Sequence, residues 1–214
     1  SGLDIDKIPA HHELYKSYFF DTVHLLDSDE YKNNPYLKTV KFPKVRGERW
    51  SFGEASYKPY EMFVCDDFRY MSDGRVIPQI GFFDTDFSYP VVYENGREWM
   101  TVTPNEINTM KKPIEKAHGR VLTYGLGLGY FAFMASCKED VSSVTVVERE
   151  DEIIKMFSHH ILPQLPHGDK IKIEKSDAFE YAERKAPNGN FDFIFTDIWH
   201  DPSDGCDLYL RMKE

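Results

Sequence analysis

The sequence predicts an α/β protein: a Rossmann-like parallel sheet with crossover helices, preceded by a small antiparallel β module and an N-terminal helical segment. Three observations predict it. From Val121 onward, short apolar runs at Val121–Tyr124, Val144–Val147, Lys170–Ile173 and Phe191–Thr196 alternate with segments of helical spacing, the pattern of repeated βα units. The first run ends in three alternating glycines, Gly125, Gly127 and Gly129, a tight βα turn that lets the backbone approach something closely. Upstream, the stretch from Arg49 to Val102 is rich in Phe, Tyr, Trp and Val and carries Asp73-Gly74 and Asn95-Gly96, the type I′ hairpin signal.

Each element has a local reason. Residues from about Asp4 to Val40 read as polar-faced helix and turn, ending around Asn33-Asn34-Pro35. Pro90–Glu94 and Arg97–Val102 are expected to pair around Asn95-Gly96. At Thr103-Pro104-Asn105-Glu106 a threonine cap, a proline at the first helical position and an acid at the capping-box position start a linking helix. That helix is expected to run to about His118 with a kink at Pro113, to show a solvated Glu/Lys-rich face, and to stop at Gly119. A helix starting near Gly129 buries Phe131, Met134 and Ala135; one over Asp151–His160 buries Ile153, Ile154 and Phe157 and breaks at Leu162-Pro163. A third runs from Ala178 to about Lys185 and stops at Pro187-Asn188-Gly189, strand four ends at Asp197, and Leu208-Tyr209-Leu210 opens a fourth helix. The expected division is residues 1–102 for the segment and module, and 103–214 for the α/β domain.

Composition narrows the partners. With 214 residues and 41% apolar content the chain can bury a sizeable core, and no run approaches the roughly 18 apolar residues of a membrane span. A net charge of −10, with no Lys/Arg run longer than Lys111-Lys112, disfavours nucleic acid and favours a small, cationic partner. Cys65, Cys137 and Cys206 are far apart and form no C-x-x-C, against both a disulfide framework and zinc. Neither an n-region nor an h-region opens the chain, so the default expectation is a cytoplasmic protein. No metal is expected: His200, Asp201 and Asp204 match no ligand template, and the adjacent pairs His11-His12 and His159-His160 read as surface residues.

The glycine turn, followed about twenty residues later by Glu148 at the end of the second strand, is the layout of a nucleotide-type cofactor site, with the acid placed to accept hydrogen bonds from a ribose. The dinucleotide fingerprint wants a third glycine at the position of Tyr130, so the turn suits S-adenosylmethionine better than NAD. With Ser176-Asp177-Ala178 after strand three and Asp197 ending strand four, residues 103–214 resemble the class I S-adenosylmethionine-dependent methyltransferase fold, nearest to its polyamine (spermidine) synthase-like branch, which also places a small β module before the cofactor domain. The resemblance implies that Tyr124, Gly125, Leu126, Gly127 and Gly129 pass under the amino-acid and ribose parts of the cofactor, and that Glu148, with Arg149, holds the ribose. It further implies that Asp177 and Ala178 read the adenine, with Phe179 and Leu126 as apolar walls. Asp197 is the candidate general base and lies beside the cofactor. Trp199, His200 and Asp201 are the candidate substrate residues, the aromatic ring being suited to a cationic group.

The chain departs from the family pattern at Thr123 and Leu128, where acids are expected. Pro104 and Asn105 stand where the synthases carry tyrosine and glutamine, and Asp201 lies one residue further from Asp197 than in their acidic loop. The sheet stops after strand four, so either the chain is cut short or a partner, a second copy in a homodimer, covers the strand-four edge. Three readings follow: a methyltransferase acting on a small polar molecule; an aminopropyltransferase using the decarboxylated cofactor; or a non-catalytic cofactor-binding or interaction module.

Overall fold

The computed structural model describes residues 19–198 and 210–211. Trp199, His200 and Asp201 therefore lie outside the described residues, as do Asp204, Cys206, Leu208, Tyr209 and the pair His11-His12.

The N-terminal part is more than helix and turn. After a helical stretch over 19–22 the chain forms a short strand, β1 (Val23–Leu25), then two helices, α1 (Ser28–Lys32) and α2 (Pro35–Thr39). Asn34-Pro35 starts a helix instead of ending one: the Asn34 side chain accepts from Tyr36 N at 2.9 Å, and Pro35 takes the position where its missing N–H is no loss. Tyr36 is fully buried; its hydroxyl donates to Leu128 O at 2.5 Å, and its ring meets Tyr130 and Phe133 edge-on. The helix thus braces the glycine turn from behind.

The β module is two sheets. In one, β2 (Val45–Arg46), β3 (Trp50–Tyr57), β6 (Phe87–Glu94) and β7 (Arg97–Thr101) run antiparallel in the order β2-β3-β6-β7. In the other, β4 (Phe63–Tyr70) and β5 (Val76–Phe82) form a hairpin, and β1 adds to β5 in parallel, which the expectation of a wholly antiparallel module did not include. The two hairpin turns differ. Asn95 (φ 50) and Gly96 (φ 80) are both left-handed, as a type I′ turn requires. At Asp73-Gly74 only Gly74 (φ 85) is left-handed, and Gly74 N donates to Met71 O: the longer loop is a type I turn closed by a glycine, correcting the type I′ expectation there.

The linking segment is two short helices, α3 (Pro104–Thr109) and α4 (Lys111–Lys116), broken at Met110. A proline inside one continuous helix would orphan the carbonyl four residues back; the break places Pro113 in the first turn of α4, where no such bond is due. Thr103 makes no side-chain cap bond, so the expected capping box does not form. Lys138 Nζ closes the far end, donating to Ile114 O at 3.1 Å and Glu115 O at 2.7 Å.

The remaining chain is β8 (Gly119–Tyr124), α5 (Tyr130–Ser136), β9 (Val141–Glu148), α6 (Asp151–His160), β10 (Ile171–Lys175), α7 (Ala178–Arg184) and β11 (Phe193–Thr196). All pairings are parallel, and the order is β10-β9-β8-β11. Counted within this domain the order is 3-2-1-4, that of a Rossmann-like doubly wound sheet. Residues alternate between two cores along β8: Val121 packs with α5, α6 and the β module, whereas Leu122 and Tyr124 join Val147 and Tyr181 of α7 on the other face. α5 buries Phe131 and Ala135 as expected, with Met134 half-buried. α6 buries Ile153, Met156 and Phe157, and Ile154 is only half-buried because a residue three beyond Ile153 shares its face more closely than the one after it. The larger core runs without a break from Trp50, Phe52 and Val91 of the module to Val121, Phe131 and Phe157 of the α/β part.

Candidate functional site

The order of the sheet reverses between β8 and β11, and ligands of open α/β sheets sit at the carboxyl ends of strands at such a point. A cleft lies there, with a volume of about 210 Å³. Gly125, Gly127, Glu148, Arg149, Asp177, Ala178, Phe179 and Asp197 line its sheet side. Arg49, Trp50, Trp99 and Met100 of the β module line it as well.

Three predicted cofactor residues are not on its wall. Tyr124 is buried on the opposite face against Tyr181, because side chains alternate along β8. Leu126 is buried in the larger core, so only its backbone faces the turn and it forms no apolar wall for a ligand. Gly129 starts α5 in the left-handed region, and a side chain there would strike the Phe157 ring.

The glycine turn is held by the acid of strand two. Glu148 Oε2 accepts from Leu126 N at 3.0 Å, and its Oε1 accepts from Arg149 N and Glu150 N, both at 2.8 Å. One carboxylate thus ties the turn after β8 to the start of α6, where backbone N–H groups are unpaired and favour negative charge. Gly125 (φ 92) abuts the backbone carbonyl of Asp197, and a Cβ there would collide with it. Asp197 N in turn donates to Tyr124 O at 2.9 Å. The packing of this chain alone therefore demands glycine at 125 and 129. Gly127 (φ 49) differs: the space a Cβ would fill holds the flexible thioether of Met100.

Asp177 caps α7, its Oδ1 accepting from Phe179 N at 2.9 Å and Glu180 N at 3.2 Å, while the residue also lines the cleft.

The acid at strand four has a partner that sequence reasoning missed. Glu106, read as a capping-box residue on a solvated helix, is partly buried and interacts with Asp197. Burial pushes the Glu106 carboxyl up to about 8, with the Asp197 charge adding to the effect, and burial pushes Asp197 up to about 6. Two carboxyls that share a poorly solvated space cannot both ionise easily, so near neutral pH the pair retains a proton. The threonine-proline start fixes where the helix begins and so puts Glu106 in its first turn, but nothing in the sequence connects that turn to Asp197.

The module side is clasped to α6 by charge. Arg49 Nε donates to Glu94 Oε1 at 2.6 Å, and its guanidinium lies 3.5 Å from Glu150. Glu152 accepts from the backbone N–H groups of Glu48 and Arg49, the latter at 3.2 Å. Trp50 packs edge-on against Trp99, with ring centroids 5.6 Å apart, and its indole Nε1 is buried with no hydrogen-bond partner among the described residues.

No protein-family model matches the sequence, and no curated protein matches it. Among solved structures the chain is similar to a protein described as an O-methyltransferase from Klebsiella pneumoniae, at 19% identity and a TM-score of 0.34, over 44% of this chain and 41% of that one. It is similar to spermidine synthase from Thermotoga maritima at 16% identity and a TM-score of 0.38, over 63% and 53%. It is also similar to MNMC2 from Aquifex aeolicus at 16% identity and a TM-score of 0.35, over 95% and 68%. The chain spans about two fifths and about half of the length of the first two. The 3-2-1-4 order of its own sheet makes this chain a Rossmann-like α/β protein with a cleft at the switch point.

Proposed function

We propose that the cleft binds S-adenosylmethionine and that the protein transfers its methyl group to a small polar acceptor bearing a protonated nitrogen or oxygen nucleophile. The observation that carries this reading is the cleft itself, where Gly125, Gly127, Glu148, Asp177 and Asp197 converge at the carboxyl ends of the strands; Glu106 interacts with Asp197, and burial raises the proton affinity of both carboxyls. The residues present fit the cofactor in three respects. Gly127 leaves a cradle that only a movable side chain fills, Glu148 is anchored at the end of strand two, and Asp177, Ala178 and Phe179 wall the far end. The cofactor would supply an electrophilic methyl on a sulfonium. This chain's part is alignment of the acceptor and removal of its proton.

The pair suits that task because its ionised member can accept a proton while the other stays neutral and donates a hydrogen bond. An amine acceptor would be held by the same negative charge. That feature also favours a second reading, aminopropyl transfer from the decarboxylated cofactor, although Leu128 and Pro104 lack the polar groups of that branch.

Titration calorimetry with S-adenosylmethionine, its demethylated product and the decarboxylated analogue tests both. Tight binding of the first two is expected. Binding of the decarboxylated form alone would replace methyl by aminopropyl transfer, and binding of none would reduce the protein to an interaction module.

A further inference from the structure

Trp50 opens β3 and is 3% exposed, yet its indole N–H has no hydrogen-bond partner among the described residues. Buried donors are almost always paired, so an orphan needs an explanation. The residue lines the cleft from the module side, next to Arg49, whose guanidinium lies 5.2 Å from the ring centroid. Arg49 cannot satisfy the indole, because a guanidinium is itself only a donor, and it is turned toward Glu94 and Glu150. On the same wall Met100 rests in the space above Gly127, a position the backbone leaves clear of any Cβ. A flexible thioether is an easily displaced occupant. Two features of one wall, an unsatisfied donor and a cradle held by a movable side chain, are what a ligand-binding wall looks like with its side chains folded inward.

We propose that Trp50 is a ligand-binding residue: when Met100 swings away from Gly127, the indole N–H of Trp50 donates to an oxygen of the small molecule in the cleft. This rests on the reading of the cleft as a nucleoside site and goes beyond it by assigning the β module a direct polar contact. The ligand chemistry is an acceptor oxygen near the glycine turn, and S-adenosylmethionine offers two, the ribose hydroxyls and the amino-acid carboxylate. The side chain at position 50 then helps decide which ligands are retained, since a site built around a buried donor rejects molecules lacking the acceptor.

Calorimetry of the wild-type protein and Trp50→Phe with S-adenosylmethionine, its decarboxylated analogue and 5′-methylthioadenosine tests the assignment. The phenyl ring keeps an aromatic group in the core and deletes the N–H, and thermal melting checks that the smaller ring leaves the variant folded. Trp50→Phe is expected to weaken S-adenosylmethionine about five- to tenfold. An equal loss with all three ligands identifies a ribose oxygen, and a loss confined to S-adenosylmethionine identifies the carboxylate. In parallel, the assigned indole N–H resonance of Trp50 in the 15N-labelled wild-type protein is expected to move downfield on saturation, a readout that does not depend on the variant folding. Unchanged affinity for every ligand, or an unmoved resonance at saturation, would overturn the proposal while leaving the nucleoside site standing. Failure of the wild-type protein to bind any of the three would sink the nucleoside reading itself, and this proposal with it.

Discussion

Gly125 and Gly127 are two residues apart in one turn, and the structure gives them different work. At Gly125 a side chain would meet both a left-handed φ of 92° and the carbonyl of Asp197, a backbone atom that cannot step aside. Gly125→Ala is expected to cost about 3 kcal/mol or more of stability, read as a lowered midpoint in urea. At Gly127 the neighbour is the Met100 thioether, which can move. Gly127→Val is expected to leave the protein folded, at a cost of about 1–2 kcal/mol for the left-handed φ, and to abolish cofactor binding by calorimetry. Glu106 gives a prediction with a sign. Its folded-state proton affinity is raised, so its contribution to stability is present below the unfolded value near 4.5 and is lost as pH rises toward about 8. Glu106→Gln removes that loss: the variant is expected to melt higher than wild type at pH 8, by about 2–4 °C, and to show little gain at pH 4. If the protein transfers a methyl group as proposed, that activity is expected to fall by about tenfold or more in the same variant, because the remaining carboxyl loses the partner that tunes it.

Among the elements, periodic ones were legible and corner pieces were not. α6 begins and ends at the residues that its periodicity and Leu162-Pro163 indicated, and β8, β9 and β10 differ from expectation by a few residues at their ends. β1 was invisible because Val23–Leu25 is too short for alternation to show, and its parallel pairing with β5 is a tertiary fact. The linking helix was read as one because its composition is uniform; Pro113 marked the trouble, and the chain resolved it by breaking three residues earlier. The site followed the same division. Glu148, Asp177 and Asp197 lie at strand ends that periodicity locates, and all three line the cleft. Arg49, Trp50, Met100 and Glu106 come from elsewhere in the chain, and no spacing rule connects them to the glycine turn. The clasp formed by Glu152 offers an element-scale test. Replacing it with alanine strands the Glu48 and Arg49 N–H groups, and faster amide hydrogen exchange is expected at residues 47–50 while β8 and β9 keep their protection.

Across the whole molecule, the expected boundary at residue 102 is a change of architecture within one continuous core. Trp50, Phe52 and Val91 pack into the same cluster as Val121, Phe131 and Phe157. Unfolding in urea is therefore expected to be a single transition, with tryptophan fluorescence, dominated by the module, coinciding with the far-ultraviolet signal of the α/β part. Two separated midpoints would contradict a shared core. No helix among the described residues is long and apolar enough to cross a membrane.

The contact between Gly125 and the Asp197 carbonyl bears on how descendants of this sequence should be read. A homologue that binds nothing would still keep glycine at 125 and 129, since architecture enforces both whether or not anything is bound. At position 127 the left-handed φ still favours glycine, but the neighbouring atoms can give way. On the proposed reading, a homologue with a bulky residue there and intact glycines on either side would have lost the ligand while keeping the turn, a change recognisable from one codon.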